Sequence, residues 1–197
     1  MLPQTHAIIA GIIVDDIYQE HHVKLNKTQL LYGSIKPDFY SGFPKLKHFK
    51  PESFNTICQD ISAISASKMD NNRATVARLS QQIGVVTHYV ADYFCVPHND
   101  RETYHNHIID HIRYENKLHH MYLQTAIPPQ NGITVQQIDF SRFDMVTNYL
   151  DHLHGLYSDR RESLFNDFNS SLMATRAVAT MIVRQALKCD TAVNSAA

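Results

Sequence analysis

The chain has 197 residues, of which 44% are hydrophobic, and this size and composition predict one globular domain over residues 1–197 and exclude a disordered chain. The net charge of −1, with histidine neutral, provides no overall attraction to nucleic acid or to an anionic membrane. The three cysteines, Cys58, Cys95 and Cys189, are too widely spaced to predict a disulfide framework, and they indicate a reducing compartment.

The N-terminal segment lacks the basic start and the small-residue cleavage site of a signal peptide. Its apolar run, residues 7–14, is much shorter than the roughly 20 residues that a membrane-spanning helix needs. We therefore expect a cytoplasmic protein without a transmembrane segment. The sequence does not indicate an oligomeric state.

Apolar residues recur at helical spacing through most of the chain, and no stretch shows the alternation of a strand. The first helix is predicted from an N-cap at Thr5 to residue 22, and a short second helix over residues 28–35. Two prolines and a glycine predict a loop over residues 36–50. Later helices are predicted over residues 53–67, 72–94, 102–123, 135–156 and 161–188. Pro97 is expected to end the helix before it. The sequence therefore predicts an all-α protein, a single bundle of six or seven helices.

The 13 histidines include two that stand one helical turn before a carboxylate. His88 precedes Asp92 by four residues, and His111 precedes Glu115 by four on a later predicted helix. Side chains at this spacing have Cβ atoms about 5–6 Å apart, so both members of a pair can bind one cation. His98 follows a proline just past the first pair, where the chain can turn back toward it. Imidazole nitrogens and carboxylate oxygens are ordinary zinc ligands.

One such pair is weak evidence, because pairs of this kind are more often surface ion pairs contributing about 0.3–0.5 kcal/mol. Two pairs joined by a Pro-His corner favour a metal site instead. His105 and His107 are interpreted as groups that can orient ligands. Six further histidines are interpreted as surface or core-edge residues: His21, His22, His119, His120, His152 and His154.

The order and spacing of these residues resemble the zinc-dependent phospholipase C family, whose superfamily also contains single-strand-specific nucleases. The family carries His-x-x-x-Asp and, six residues after the Asp, a histidine; the matching residues are His88, Asp92 and His98. A His-x-x-Tyr-Glu-Asn-like motif follows, and here it is HIRYEN, with His111 and Glu115.

Upstream motifs of the family also have counterparts in this chain. A Pro-Asp in a loop followed by a histidine corresponds to Asp38 and His48. A histidine that opens the first helix after a small hydroxyl residue corresponds to His6, which follows Thr5. The resemblance extends from His6 to about residue 118, and it implies the all-α bundle of the phospholipase C and nuclease fold.

The resemblance implies three zinc sites. The first would be formed by Asp38, His48, His88 and Asp92. The second would be formed by His98, His111 and Glu115. The third would be formed by His6 and by Asp92, which bridges it to the first. The family completes the third site with an N-terminal tryptophan, but this chain has no tryptophan, and the Met1 backbone amine is the candidate replacement. Either two or three zinc ions are therefore expected.

The resemblance further implies a phosphoester hydrolase in which metal-activated water attacks a phosphodiester, with phospholipid among the candidate substrates. Asp38 and Glu115 are the candidate catalytic residues, Asp38 as acceptor of the proton of the water. The aromatic residues Phe39, Tyr40 and Phe43 are candidates for lining the substrate approach or for packing the loop. Two alternatives stay open: a zinc-binding homologue without catalysis, and a nuclease of the same superfamily, although nucleic acid is the less favoured substrate.

Overall fold

The computed structural model describes residues 1–39, 46–69, 72–99, 107–128 and 138–194, with side chains up to residue 188. Within these ranges the chain forms eight helices and no strand. The helices are α1 (Pro3–His21), α2 (Lys27–Phe39), α3 (Lys50–Ser65), α4 (Arg73–Tyr93), α5 (Val96–Asn99), α6 (Ile108–Gln124), α7 (Phe143–Ser158) and α8 (Leu164–Asn194). The predicted all-α class is confirmed, with more helices than the six or seven predicted.

Helix α1 begins earlier than predicted. Its N-cap is Leu2 and Pro3 stands at the first helical position, so Thr5 lies inside the helix and does not cap it. Proline suits this position because its missing N–H would have no partner within the helix and its φ is already helical. The helix ends at His21, since His22 adopts a left-handed conformation with φ of 56°.

Helix α2 extends into the segment that was predicted as a loop. Residues 36–39 are helical and Pro37 lies within the last turn, so the predicted helix end at residue 35 was wrong. The packing of α2 along α4 outweighs the local preference of proline, which is a weak guide wherever tertiary contacts are extensive. Asp38 is consequently presented from a helix. Tyr40 and Phe43 lie outside the described residues.

Two helices around Pro97 divide differently from the prediction. Helix α4 ends at Tyr93, and Pro97 lies in the first turn of the short α5, where a proline leaves no hydrogen bond unmade. Helices α6 and α7 begin at Ile108 and Phe143, later than predicted. The predicted starts at residues 102 and 135 lie outside the described residues. Helix α8 continues beyond its predicted end at residue 188.

Helix α4 is buried by α2, α3 and α8, and apolar side chains from the long helices form one hydrophobic cluster around it. Every residue from Val86 to Tyr93 is buried. This part of the helix is covered on all sides and has no solvent-facing stripe, so its polar residues must find partners inside the protein. This is the environment of His88 and Asp92, which are 1% and 0% exposed.

Two glycines allow α2 and α4 to approach closely. A Cβ atom on Gly33 would lie 2.1 Å from the carbonyl oxygen of Gln81, and one on Gly84 would lie 2.2 Å from that of Leu30. No side chain larger than hydrogen fits at either position. The close approach brings the Ser34 carbonyl oxygen of α2 within hydrogen-bonding distance of His88 on α4.

Replacing Gly84 with alanine is expected to reduce the free energy of unfolding by about 1–3 kcal/mol or more, because α2 must move to admit the methyl group. Gly11→Ala is the matched control, since a Cβ there meets nothing within 4 Å and alanine favours the helix by up to about 1 kcal/mol. Urea unfolding measures both values. Similar destabilisation by the two substitutions would contradict the close packing of α2 and α4.

Candidate metal centre

The first group of predicted ligands meets between α2, α4 and the segment before α3. Asp92 Oδ2 lies 2.7 Å from His48 Nδ1 and 3.5 Å from His88 Nε2. Asp38 Oδ1 lies 3.9 Å from His48 Nδ1 and 3.8 Å from His88 Nε2. His48 Nδ1 and His88 Nε2 are 3.0 Å apart. Four ligand atoms thus surround one point, and burial raises the pKa of the Asp38 carboxyl.

The second group joins the α5 corner to α6. His98 Nε2 lies 3.0 Å from Glu115 Oε1, and His111 Nε2 lies 2.8 Å from the same oxygen. The buried Cys95 completes a set in which its sulfur and one ligand atom each of His98 and Glu115 lie within 4.8 Å of one another. Cys95 was not predicted as a ligand, because a single cysteine outside any spacing motif does not indicate a metal site.

His6 stands beside the first group, at the start of α1. Its Nε2 atom lies 3.3 Å from Asp92 Oδ1, and its ring packs on that of His88 with centroids 3.9 Å apart. Both ring nitrogens of His6 are buried without a hydrogen-bond partner. An unsatisfied buried polar group costs about 1–3 kcal/mol, and coordination of a cation would supply the missing partner.

The Met1 amine occupies the space between Asp92 and the second group. It lies 2.5 Å from Asp92 Oδ1, 2.7 Å from His98 Nε2 and 3.0 Å from Glu115 Oε1. Burial alone would lower the pKa of the amine, but the two carboxylates raise it to about 12. The amine is therefore held as an ammonium between the two carboxylates, and it would have to lose a proton to serve as a ligand at a third site.

Backbone carbonyls fix the orientation of two predicted histidine ligands. His88 Nδ1 lies 2.8 Å from the carbonyl oxygen of Ser34, and His98 Nδ1 lies 3.0 Å from that of His48. A carbonyl oxygen only accepts hydrogen bonds, so Nδ1 must donate in both rings. The lone pair of each Nε2 therefore faces the carboxylates, which is the arrangement that metal-binding histidines usually adopt.

The protonation states also suit cation binding. Burial lowers the pKa of His88 well below its ordinary value of 6.5 and lowers that of His98 as well, so both rings are neutral at neutral pH. Burial opposes ionisation of Asp92, but His98 and the Met1 ammonium outweigh it and hold the pKa well below the usual range. Burial likewise opposes ionisation of Glu115, but the Met1 ammonium and two histidine hydrogen bonds lower its pKa. Metals require deprotonated ligands.

The structure brings all eight predicted ligands into one connected cluster: His6, Asp38, His48, His88, Asp92, His98, His111 and Glu115. Their imidazole and carboxylate groups fit zinc, and the unpartnered atoms of His6 and Asp38 fit a cation in particular. Of the other predicted groups, Phe39 is exposed, His105 lies outside the described residues, and His119 contacts the Thr5 hydroxyl at 3.1 Å.

The family model of zinc-dependent phospholipase C matches residues 5–174, a range that contains the whole cluster except Met1. No curated protein and no solved structure matches the chain. Among the residues that the structure describes, no helix combines the length and apolar character needed to cross a membrane.

Acidification is expected to destabilise the chelator-treated protein. The pKa of His88 is lower in the folded protein than in the unfolded chain, so the unfolded chain binds the proton first. Stability is therefore lost as the pH falls from about 6.5, the ordinary value, toward the lowered pKa of the folded state. His88→Gln is expected to reduce the loss of unfolding free energy between about pH 7 and pH 5. Urea unfolding at both pH values measures this difference. His152→Gln, on the exposed face of α7, is the control, and an equal effect of both substitutions would contradict the assignment to His88.

Proposed function

The chain belongs to the zinc-dependent phospholipase C family, and on that premise we propose that it is a zinc-dependent phosphoester hydrolase whose active centre is the cluster around Asp92. The observation that carries the proposal is the convergence of eight predicted ligands from five helices and one connecting segment. The buried and unpartnered ring of His6 is its clearest single sign, because a histidine in that position needs a partner that the protein side chains do not supply.

Three zinc sites follow from the groups of side chains. The first is assigned to Asp38, His48, His88 and Asp92. The second is assigned to His98, His111 and Glu115. The third is assigned to His6, Asp92 and the Met1 amine, which together replace the tryptophan-containing site of the family. The Met1 amine would have to lose a proton to bind the third ion, so two or three zinc ions are expected.

Zinc bound there supplies a water whose pKa is lowered toward about 7 and a positive charge beside the phosphoryl oxygens. Asp38 would be the residue to accept a proton from an attacking water, since its Oδ2 atom has no hydrogen-bond partner and its Oδ1 atom lies 3.9 Å from His48 Nδ1 and 3.8 Å from His88 Nε2. Glu115 is the second candidate catalytic residue. Its Oε1 atom lies 3.0 Å from His98 Nε2 and 2.8 Å from His111 Nε2, and its lowered pKa keeps the carboxylate ionised beside these two predicted ligands.

The substrate is expected to approach on the side of His111, Asp38 and His48. Their side chains are 23%, 20% and 15% exposed, whereas His6, His88 and Asp92 are almost completely buried. The buried ligands would fix the metals, and the partly exposed ones are those that a substrate from solvent would meet first. We propose a phosphodiester, such as that of a phospholipid headgroup, as the substrate class.

Purified protein is expected to contain two or three zinc ions and to hydrolyse a chromogenic phosphodiester or phosphocholine ester. A His88→Ala, Glu115→Ala double substitution should remove ligands from two sites and reduce hydrolysis to background, because both sites act on one phosphate. Metal analysis and a hydrolysis assay with and without chelator measure the effect. His152→Ala, which alters an exposed histidine outside the cluster, is the matched control.

Full activity in the double variant would end the proposal of a metal-dependent hydrolase. Stoichiometric zinc without turnover on any phosphoester would identify a non-catalytic zinc-binding homologue instead. Degradation of single-stranded DNA or RNA with no activity on phosphodiester lipids would identify a nuclease of the same superfamily.

A further inference from the structure

Asp167 of α8 lies buried directly behind the second group of ligands. Its Oδ2 atom accepts hydrogen bonds from the backbone N–H of Val96 at 2.8 Å and from the Tyr114 hydroxyl at 3.0 Å. Its Oδ1 atom accepts from the Tyr157 hydroxyl at 2.9 Å. The residue is 0% exposed. One carboxylate thus connects α5, α6, α7 and α8.

Two of these three donors adjoin predicted zinc ligands. Val96 stands two residues before His98 in the short α5, and Tyr114 immediately precedes Glu115 in α6. The carboxylate therefore fixes the distance between the two backbone segments that carry His98 and Glu115.

The position of Asp167 is energetically unfavourable by itself. Burial raises the pKa of its carboxyl to about 6, and the three hydrogen bonds come from neutral donors. A buried carboxylate costs free energy unless it is fully compensated, so a carboxylate with no cationic hydrogen-bond donor among the described residues calls for a role beyond packing. A carboxylate accepts hydrogen bonds at two separate oxygens, whereas a hydroxyl has only one oxygen and an apolar residue accepts none.

We propose that Asp167 is a positioning residue for the second zinc site, and that through Tyr114 and the Val96 N–H it holds Glu115 and His98 at the separation a shared metal requires. The inference rests on the proposed function, because it assumes that these residues bind zinc. Groups that orient metal ligands commonly determine about 10–100-fold of the metal affinity. Sequence reasoning had no access to this residue, since it lies far along the chain from the ligands it supports.

The chain offers a matched pair of tyrosines for the test. Tyr114 and Tyr122 both lie on α6 and both hydrogen-bond to α8. Tyr122 donates to the Phe168 carbonyl oxygen at 3.4 Å and shares a 2.7 Å hydrogen bond with Ser171 Oγ, and neither of these residues is next to a predicted ligand. Tyr122 is also the more buried of the two. A merely structural network would be disturbed at least as much by Tyr122→Phe as by Tyr114→Phe.

Zinc affinity measured by competition with a chromophoric chelator is the primary readout. Tyr114→Phe is expected to weaken one zinc equivalent about tenfold, and Tyr122→Phe is expected to leave all equivalents unchanged within about twofold. The absorption spectrum of the cobalt-substituted protein should change in Tyr114→Phe alone, because the ligand geometry changes. Urea unfolding of the chelator-treated variants separates these effects from loss of stability.

Asp167→Asn provides a second variant that does not depend on the tyrosines. Its amide keeps one acceptor oxygen and nearly the same shape, so the protein should fold and lose less zinc affinity than Asp167→Ala. Equal zinc affinity in wild-type protein, Tyr114→Phe and Asp167→Asn would overturn the inference and leave the proposed function intact. Wild-type protein that binds no zinc would overturn the proposed function itself, and this inference with it.

Discussion

The carboxylate of Asp92 connects the first group of ligands, the second group and His6, and it does so from the interior of the protein. An ionised carboxylate away from water persists only when positive or hydrogen-bonding groups compensate for its lost hydration. His48 contacts one oxygen, and the Met1 amine and His98 approach the other. Because each oxygen faces a different set of ligands, the position of this one side chain determines how the sets are spaced.

The helix that carries Asp92 is held in place by the surrounding bundle. Glycines at the contact of α2 with α4 bring the two backbones together, and the Ser34 carbonyl then orients His88. The His48 carbonyl does the same for His98. Ligand orientation is therefore controlled by main-chain atoms, whose positions depend on helix packing. Such support is what keeps a metal or catalytic site in its productive geometry.

The centre divides into a buried side and an accessible side. His6, His88 and Asp92 are sealed within the helices, whereas His111, Asp38 and His48 reach the surface. Buried charged and polar groups are costly, and several of them meet in this cluster within an otherwise apolar framework. A cluster of that kind is a common mark of functional sites, because a purely structural core would avoid the cost.

The sequence by itself determined the helical class and five of the ligand candidates, because helical periodicity and ligand spacing are local properties of the chain, and the family resemblance added His6, Asp38 and His48. It also identified Pro97 as a break. It placed Thr5 and Pro37 wrongly, since local rules for caps and prolines were outweighed by the start of α1 at Leu2 and by the packing of α2 on α4. Only the tertiary structure decided which groups meet. Contacts such as those of Met1 with Asp92 and of Asp167 with Tyr114 join residues far apart in the chain, and no local pattern records them.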